Sequence, residues 1–400
     1  MMRRRCAVCM FFLLVVSTAA GPFALDWPRW RGPEGTGISA ETGWDPQAVA
    51  SGADVVWKAQ VGSGYSAVSV AGGRLYTMGN NGREDTVYCL DAGSGKTVWT
   101  YSYPCGTGGY PGPRATPTVD GDRLYTLSRE GHLHCLDARN GKLVWQRHLV
   151  RDFRAQPPTW GFASSAVVSG DLVVVNACMS GVALDKTTGR EVWVSRAGRG
   201  SYAAAVIYDD AGTRYAAIFG ARALYGVELE TGRVSWSFDW YTDNDVHAAD
   251  PIVVGNRIFI SSGYDTGCAL LELGGRKPKL LWQSRIMRNH FSSSLYLDGY
   301  VYGSDGQAGG GYLRCIDFDT GREMWSFRSG MVSLISAAGK LIVLQERGEL
   351  FVLEATPRGI EEHSRARVLS NIVWTPPVLA NGLLYCRNVA GELVCIDMRD

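Results

Sequence analysis

A short phrase recurs along this chain: an acidic residue lies eight positions before a Trp, and a Gly lies four before it. Leu90-Asp91 through Gly95 to Trp99 is followed by Leu136-Asp137 through Gly141 to Trp145 and by Leu184-Asp185 through Gly189 to Trp193. Val227-Glu228 through Gly232 to Trp236 and Ile316-Asp317 through Gly321 to Trp325 complete five copies in register. Trp282 ends a further copy with a longer turn carrying Gly274 and Gly275, and Trp57 precedes them all. These Trp are spaced by 42, 46, 48, 43, 46 and 43 residues. That is the period of a four-stranded propeller blade.

A second phrase lies upstream of each Trp. Thr118–Tyr125, Val254–Phe259, Leu297–Tyr302 and Leu379–Tyr385 each place Gly in a tight turn between apolar alternations. Such turns read as β-hairpins, because Gly adopts positive φ without a Cβ penalty. One unit therefore reads as three strands ending in Leu-Asp, a Thr-Gly turn, and an outer strand ending in Trp. The acid can accept turn amides. The large indole suits the wedge between neighbouring sheets, so Trp57, Trp99, Trp145, Trp193, Trp236, Trp282 and Trp325 are assigned a structural docking role.

The units count to eight. The seventh lacks Trp, with Val368 or Leu369 at the equivalent place, and the eighth stops after its third strand at Ile396-Asp397. Asp54–Val61, around Trp57, reads as an outer strand without its own blade. Pairing it with the C-terminal strands removes two open sheet edges. The expectation is an all-β, eight-bladed propeller over residues 54–400, its last blade closed by the N-terminal strand. A seven-bladed ring, which strands one unit, is the alternative.

Before the ring, Arg3, Arg4 and Arg5 lead an apolar run from Cys6 to Val16 and the small residues Ser17–Gly21. This is the layout of a secretory signal, cleaved here after Ala20. Residues 21–53 read as an extended N-terminal segment. The mature chain has no apolar run long enough for a helical membrane span, so a periplasmic or extracellular monomer is expected. Forty Lys+Arg against 39 Asp+Glu leaves a formal charge of +1, which argues against nucleic acid as a main partner. Eight Cys follow the signal segment. Cys89, Cys135, Cys315 and Cys395 share one repeat position and read as small strand fillers.

The Asp-x-x-Thr-Gly-x-x-x-Trp phrase resembles the tryptophan-docking repeat of pyrroloquinoline-quinone (PQQ) type propellers over nearly the whole mature chain. Trp27-Pro-Arg-Trp30-Arg-Gly-Pro33, Thr159–Ala163, Ser261–Tyr264 and Asn289-His290 resemble a group of exported PQQ-like repeat proteins. The resemblance implies one of two branches. Quinoprotein dehydrogenases hold PQQ and calcium over the ring centre, commonly beside an adjacent Cys-Cys pair; this chain has no adjacent Cys after the signal. The branch similar to BamB, the outer-membrane assembly lipoprotein, binds proteins without a cofactor; this chain lacks the lipid-carrying Cys.

Propeller sites gather where loops enter the inner strands. Here those loops offer Arg114, Trp160, Trp240, His247, Arg288, Asn289, His290 and Trp374, a mixture of rings and cations suited to a planar or anionic ligand or a peptide. Asp243, Asn244 and Asp245 are weak candidates for calcium. His132 and His134 face one side of a strand at a spacing that permits a shared metal. There is no G-x-S-x-G elbow, P-loop or H-E-x-x-H. The sequence reading is a non-catalytic binding propeller of the cell envelope without a cofactor, recognising a protein or small ligand; the alternative is a PQQ- and calcium-dependent alcohol or sugar dehydrogenase. A glycan-binding module is a third, weaker reading.

Overall fold

The computed structural model describes residues 25–275 and 277–399. The signal segment lies outside them. Among the described residues the chain forms eight antiparallel sheets of four main strands each, in consecutive order. Blades 1 to 6 begin at Ser69, Thr118, Val167, Val206, Ile252 and Leu295 and end at Pro104, His148, Val194, Asp239, Ser284 and Arg328. Blade 7 runs from Val332–Ala337 to Glu362–Arg367, and Ile38–Ser39 joins its inner edge in parallel. Blade 8 combines Val378–Ala380, Leu383–Arg387 and Glu392–Asp397 with the N-terminal strand Val55–Gln60, with Trp57 opposite Cys395. The composite blade read from the two chain ends is the observed closure.

The repeat phrase is explained by one contact made at seam after seam. At five of the eight seams the indole of one blade sits on the glycine turn of the next. A Cβ at Gly95, Gly141, Gly189, Gly232 or Gly321 would lie 2.6, 2.5, 2.6, 2.7 or 2.8 Å from the rings of Trp57, Trp99, Trp145, Trp193 or Trp282. At Gly189 the backbone is also left-handed, φ +68°. Glycine is required twice there, for the turn and for the ring. Indole Nε1 of Trp57, Trp99, Trp145 and Trp193 donates to the carbonyl of Ala92, Ala138, Lys186 and Leu229 at 2.7–3.0 Å.

The recurring Cys has its reason in the same place. Tyr76, Cys89 and Trp99 lie in one cross-strand row, as do Tyr125, Cys135 and Trp145. The small thiol lets the two rings meet at 6.0 Å centroid distance in both rows. The Tyr hydroxyl then donates to the carbonyl that already accepts the indole N–H, Ala138 or Lys186. All eight Cys among the described residues are free and buried.

Three seams depart from the pattern. Trp325 donates to Thr356 O of blade 7 but meets no glycine there, since Gly359 has nothing within 4 Å. Trp236 donates to Tyr208 of its own blade, because the longer turn of blade 5 places neither Gly274 nor Gly275 near a ring. In blade 7 the Trp register is taken by Ser364, opposite Val352, and not by Val368 or Leu369. The N-terminal segment fills that gap. Buried Trp44 and Val49 join the cluster containing Val352, Ile396 and Met398. Ser364 Oγ donates to Pro46 O at 2.5 Å, and Asp45 N–H donates to Met398 O at 2.7 Å, the carbonyl an indole would otherwise claim. Arg387 bridges blades 8 and 1, donating to the carbonyls of Gly62, Ser66 and Met78 and to Thr77 Oγ1.

Trp145→Ala is expected to lower unfolding free energy by about 3–5 kcal/mol, the usual range for truncating a buried ring. Gly189→Ala should also destabilise, through the ring clash and its positive φ. Denaturant unfolding of the purified variants measures both.

Candidate functional site

Strand alternation sorts the connections onto two faces. The Thr-Gly turns and first hairpins lie on one face; the second-to-third-strand turns and the inter-blade loops lie on the other, the loop face. On the loop face the inner strands are preceded by chain running toward the axis. Tyr65, Arg114, Ala163, Tyr202, Ala248, Phe291 and Trp374 each stand four residues ahead of an inner strand, and all line one cavity of about 350 Å³ over the ring centre. This periodic position was not recognised in the sequence, although aligning the repeats upstream of each inner strand would expose it.

Aromatic rings make the wall. Trp374 stacks on Tyr65 at 5.6 Å and leans on Phe291 at 4.7 Å; Phe291 stacks on His290 at 3.8 Å. Tyr264 meets His290 edge-on, and Trp160 lies against Tyr202. The floor is Trp30, from the N-terminal segment. That segment is anchored on the opposite face by the Trp27–Val70 bridge and by Val119 N–H donating to Pro28 O. Trp30 Nε1 donates to Asp250 Oδ2 at 2.7 Å, Ala204 N–H donates to Oδ1 at 2.8 Å, and Arg31 stands 3.9 Å away.

The unspent polar groups define what the cup can hold. Arg114 lies 5.5 Å over the Tyr65 ring and donates to Tyr110 O and Gly112 O. It keeps its charge beside carbonyls rather than carboxylates. His290 is 8% exposed, and both ring nitrogens lack a partner; Trp374 Nε1 lacks one too. Burial pulls the His290 pKa down to about 4, so the ring is neutral, with one donor and one acceptor.

Of the eight residues named from the sequence, the cup brings together Arg114, Trp160, His290 and Trp374. The others serve the scaffold. Trp240 and His247 are buried and share Ser262 Oγ, and His247 stacks on Phe219 with Nε2 at 3.2 Å from Ala221 O. Asn289 is 1% exposed and ties Ser304 O to Ser294. Arg288 is held by Asp305 and Asp265. Asp243, Asn244 and Asp245 form a short 3-10 turn in which Asp245 pairs with Arg199, so its charge is met by a guanidinium. His132 and His134 stack 6.2 Å apart, but His134 is buried between Tyr101 and Tyr103. The cup's Trp30, Tyr65, Tyr202, Phe291 and Asp250 were missed.

Fold and cup together define a PQQ-like eight-bladed β-propeller. The chain belongs to the family described as outer membrane protein assembly factor BamB, whose profile matches residues 46–112 and 83–327. BamB from Moraxella catarrhalis superposes with a TM-score of 0.65 at 17% identity, covering 86% of this chain and 99% of its own. A quinohemoprotein alcohol dehydrogenase from Comamonas testosteroni reaches 0.67 at 13% identity, covering 93% and 80%. A europium-containing methanol dehydrogenase reaches 0.66 at 12%, covering 94% and 89%. Comparison with curated proteins found no match. At these identities the structural likeness establishes the fold.

The donors of the cup decide how well it fits PQQ and calcium. Its volume suits a small planar molecule. Its one lining carboxylate, Asp250, already accepts from Trp30 and Ala204 with Arg31 alongside. Calcium takes six to eight oxygens, and the lining residues do not supply such a set.

Burial also lowers His134 and His247 to about 4. The unfolded imidazoles titrate near 6.5, so below that value the unfolded state binds more protons. Stability is thus complete above about pH 6.5 and falls toward about pH 4. Urea midpoints measured across that window should fall with pH, and His134→Gln should flatten the slope by about one proton's share.

Proposed function

We propose that this protein is an exported, non-catalytic binding propeller of the cell envelope. Its loop face takes a small planar ligand, or a side chain presented by a protein partner, into the aromatic cup. The observation that carries this reading is the cup itself: stacked rings around one cation, with the His290 and Trp374 nitrogens still unpaired. Rings supply stacking area, and Arg114 selects an acceptor or anionic group. The family's description as an assembly factor supports a protein partner. The Arg3–Arg5 and Cys6–Val16 pattern supports export, and no helix among the described residues is long and apolar enough to cross a membrane.

The dehydrogenase reading has the position and volume of the cup in its favour and the donor set against it. Adding PQQ and calcium to the purified protein distinguishes the two. A cofactor absorbance with alcohol-dependent dye reduction would replace the binding reading.

Capture from envelope extracts is the direct test. Trp374→Ala and Arg114→Ala should each reduce recovery of the specific partner or ligand at least tenfold, with circular dichroism unchanged. Recovery equal to wild type in both variants, or no specific recovery by the wild type, would refute the assignment to the cup.

A further inference from the structure

Away from the cup, blades 1 and 2 meet on the loop face over a group of donors from two loops. The outer strand Thr97–Pro104 delivers Cys105, and the turn from Ser128 to His132 delivers Glu130 and His132. A ligand atom from each of the three lies within 4.8 Å of the others. The edge of a tetrahedral zinc site is about 3.5 Å, from bonds of ~2.0–2.3 Å, so side-chain adjustment alone can close the group. We propose that Cys105, Glu130 and His132 form a binding site for a divalent cation of the zinc class.

The local structure holds the donors in place. Ser128 Oγ accepts the backbone N–H of Glu130 and of His132 and lies 3.0 Å from His132 Nδ1. Gly106 N–H donates to Glu130 Oε1 at 3.0 Å, tying the two loops together beside the thiol. A second observation concerns Asp85. Its side chain is buried beside the Cys105 thiol and the Tyr103 hydroxyl, and both interact with it. Burial, Asp85 and Glu130 push the Cys105 thiol up. A dication relieves this crowding of lone pairs: the thiol releases its proton to solvent, and the thiolate binds the metal beside carboxylate and imidazole. Arg129 and Arg151 are nearby cations, acting on Asp85 and on His132. The His148 ring stands 4.7 Å from His132 with Nδ1 unpartnered, leaving a fourth position to it or to water.

Cys105 differs from the repeat cysteines. Those sit in mid-strand rows between Tyr and Trp, whereas Cys105 follows a strand end and faces Glu130. Sulfur and nitrogen donors favour zinc-like ions over calcium or magnesium. The same loop continues to Tyr110 and Arg114, so a bound ion fastens one wall of the cup at its base. No Cys/His spacing along the chain signals such a site, because its members come from two blades.

The test uses the purified protein, reduced, chelator-stripped and titrated with Co²⁺. One equivalent should produce a sulfur-to-cobalt charge-transfer band with tetrahedral d–d absorption, and Zn²⁺ should displace it. Cys105→Ser should abolish the charge-transfer band. Glu130→Gln and His132→Gln should each weaken binding at least tenfold, while Cys178→Ser leaves it unchanged. Absence of the band in the wild type, or its full retention in Cys105→Ser, overturns the proposal. If Cys105→Ser fails to fold, Glu130→Gln at the half-buried rim decides, and unaltered Co²⁺ affinity there counts against the site.

Discussion

Five of the eight seams in this ring rest on an indole seated upon a glycine of the neighbouring sheet. The contact joins apolar burial to a directional bond, since the indole N–H reaches a carbonyl just beyond the Leu-Asp strand end. A buried indole covers ~150–250 Å², worth roughly 4–6 kcal/mol per seam as an upper figure. Shape alone would let blades slide. The shared carbonyl, accepting both indole and Tyr hydroxyl, fixes the height of one sheet against the next. The recurring Cys is the size that keeps the two rings in contact.

Where the indole is absent, the chain compensates from far away in sequence. Ser364 leaves a vacant wedge between blades 7 and 8, and Trp44 and Val49 fill it while Asp45 supplies the missing N–H. The same N-terminal segment runs across the far face and sends Trp30 up to floor the cup. The segment therefore repairs a seam, closes the last blade through Val55–Gln60, and contributes Trp30 to the cup. Stability and the proposed recognition surface are joined by this stretch.

The cup follows from radial symmetry. Equivalent positions four residues before the inner strands are brought to a common axis, so seven repeats contribute one side chain each to one cavity. Most of those side chains are rings, and Arg114 is the cation among them. Blade 7 follows its predecessor by a short link and contributes none at that position. A cup of this kind is suited to stacking and a few directed bonds, in contrast to a chamber built from carboxylates around a metal. The neutral, buried His290 is part of that character, because burial holds it uncharged.

The repeat, the blade count, the hairpin turns and the sharing of blade 8 between the chain ends are legible in the residue order, because each rests on local spacing that every unit repeats. Trp99, Gly141 and Cys135 could be given structural roles for that reason. Arg114, Trp160, His290 and Trp374 were legible as loop residues of the right chemistry. Trp240, His247 and Asn289 looked the same in sequence, yet their side chains turn into the core. Only the tertiary structure decided which loops face the axis, that Trp44 stands in for a missing indole, and that Cys105 meets Glu130 and His132. These are contacts between separate blades, and closing a ring brings together residues whose proximity no local spacing encodes.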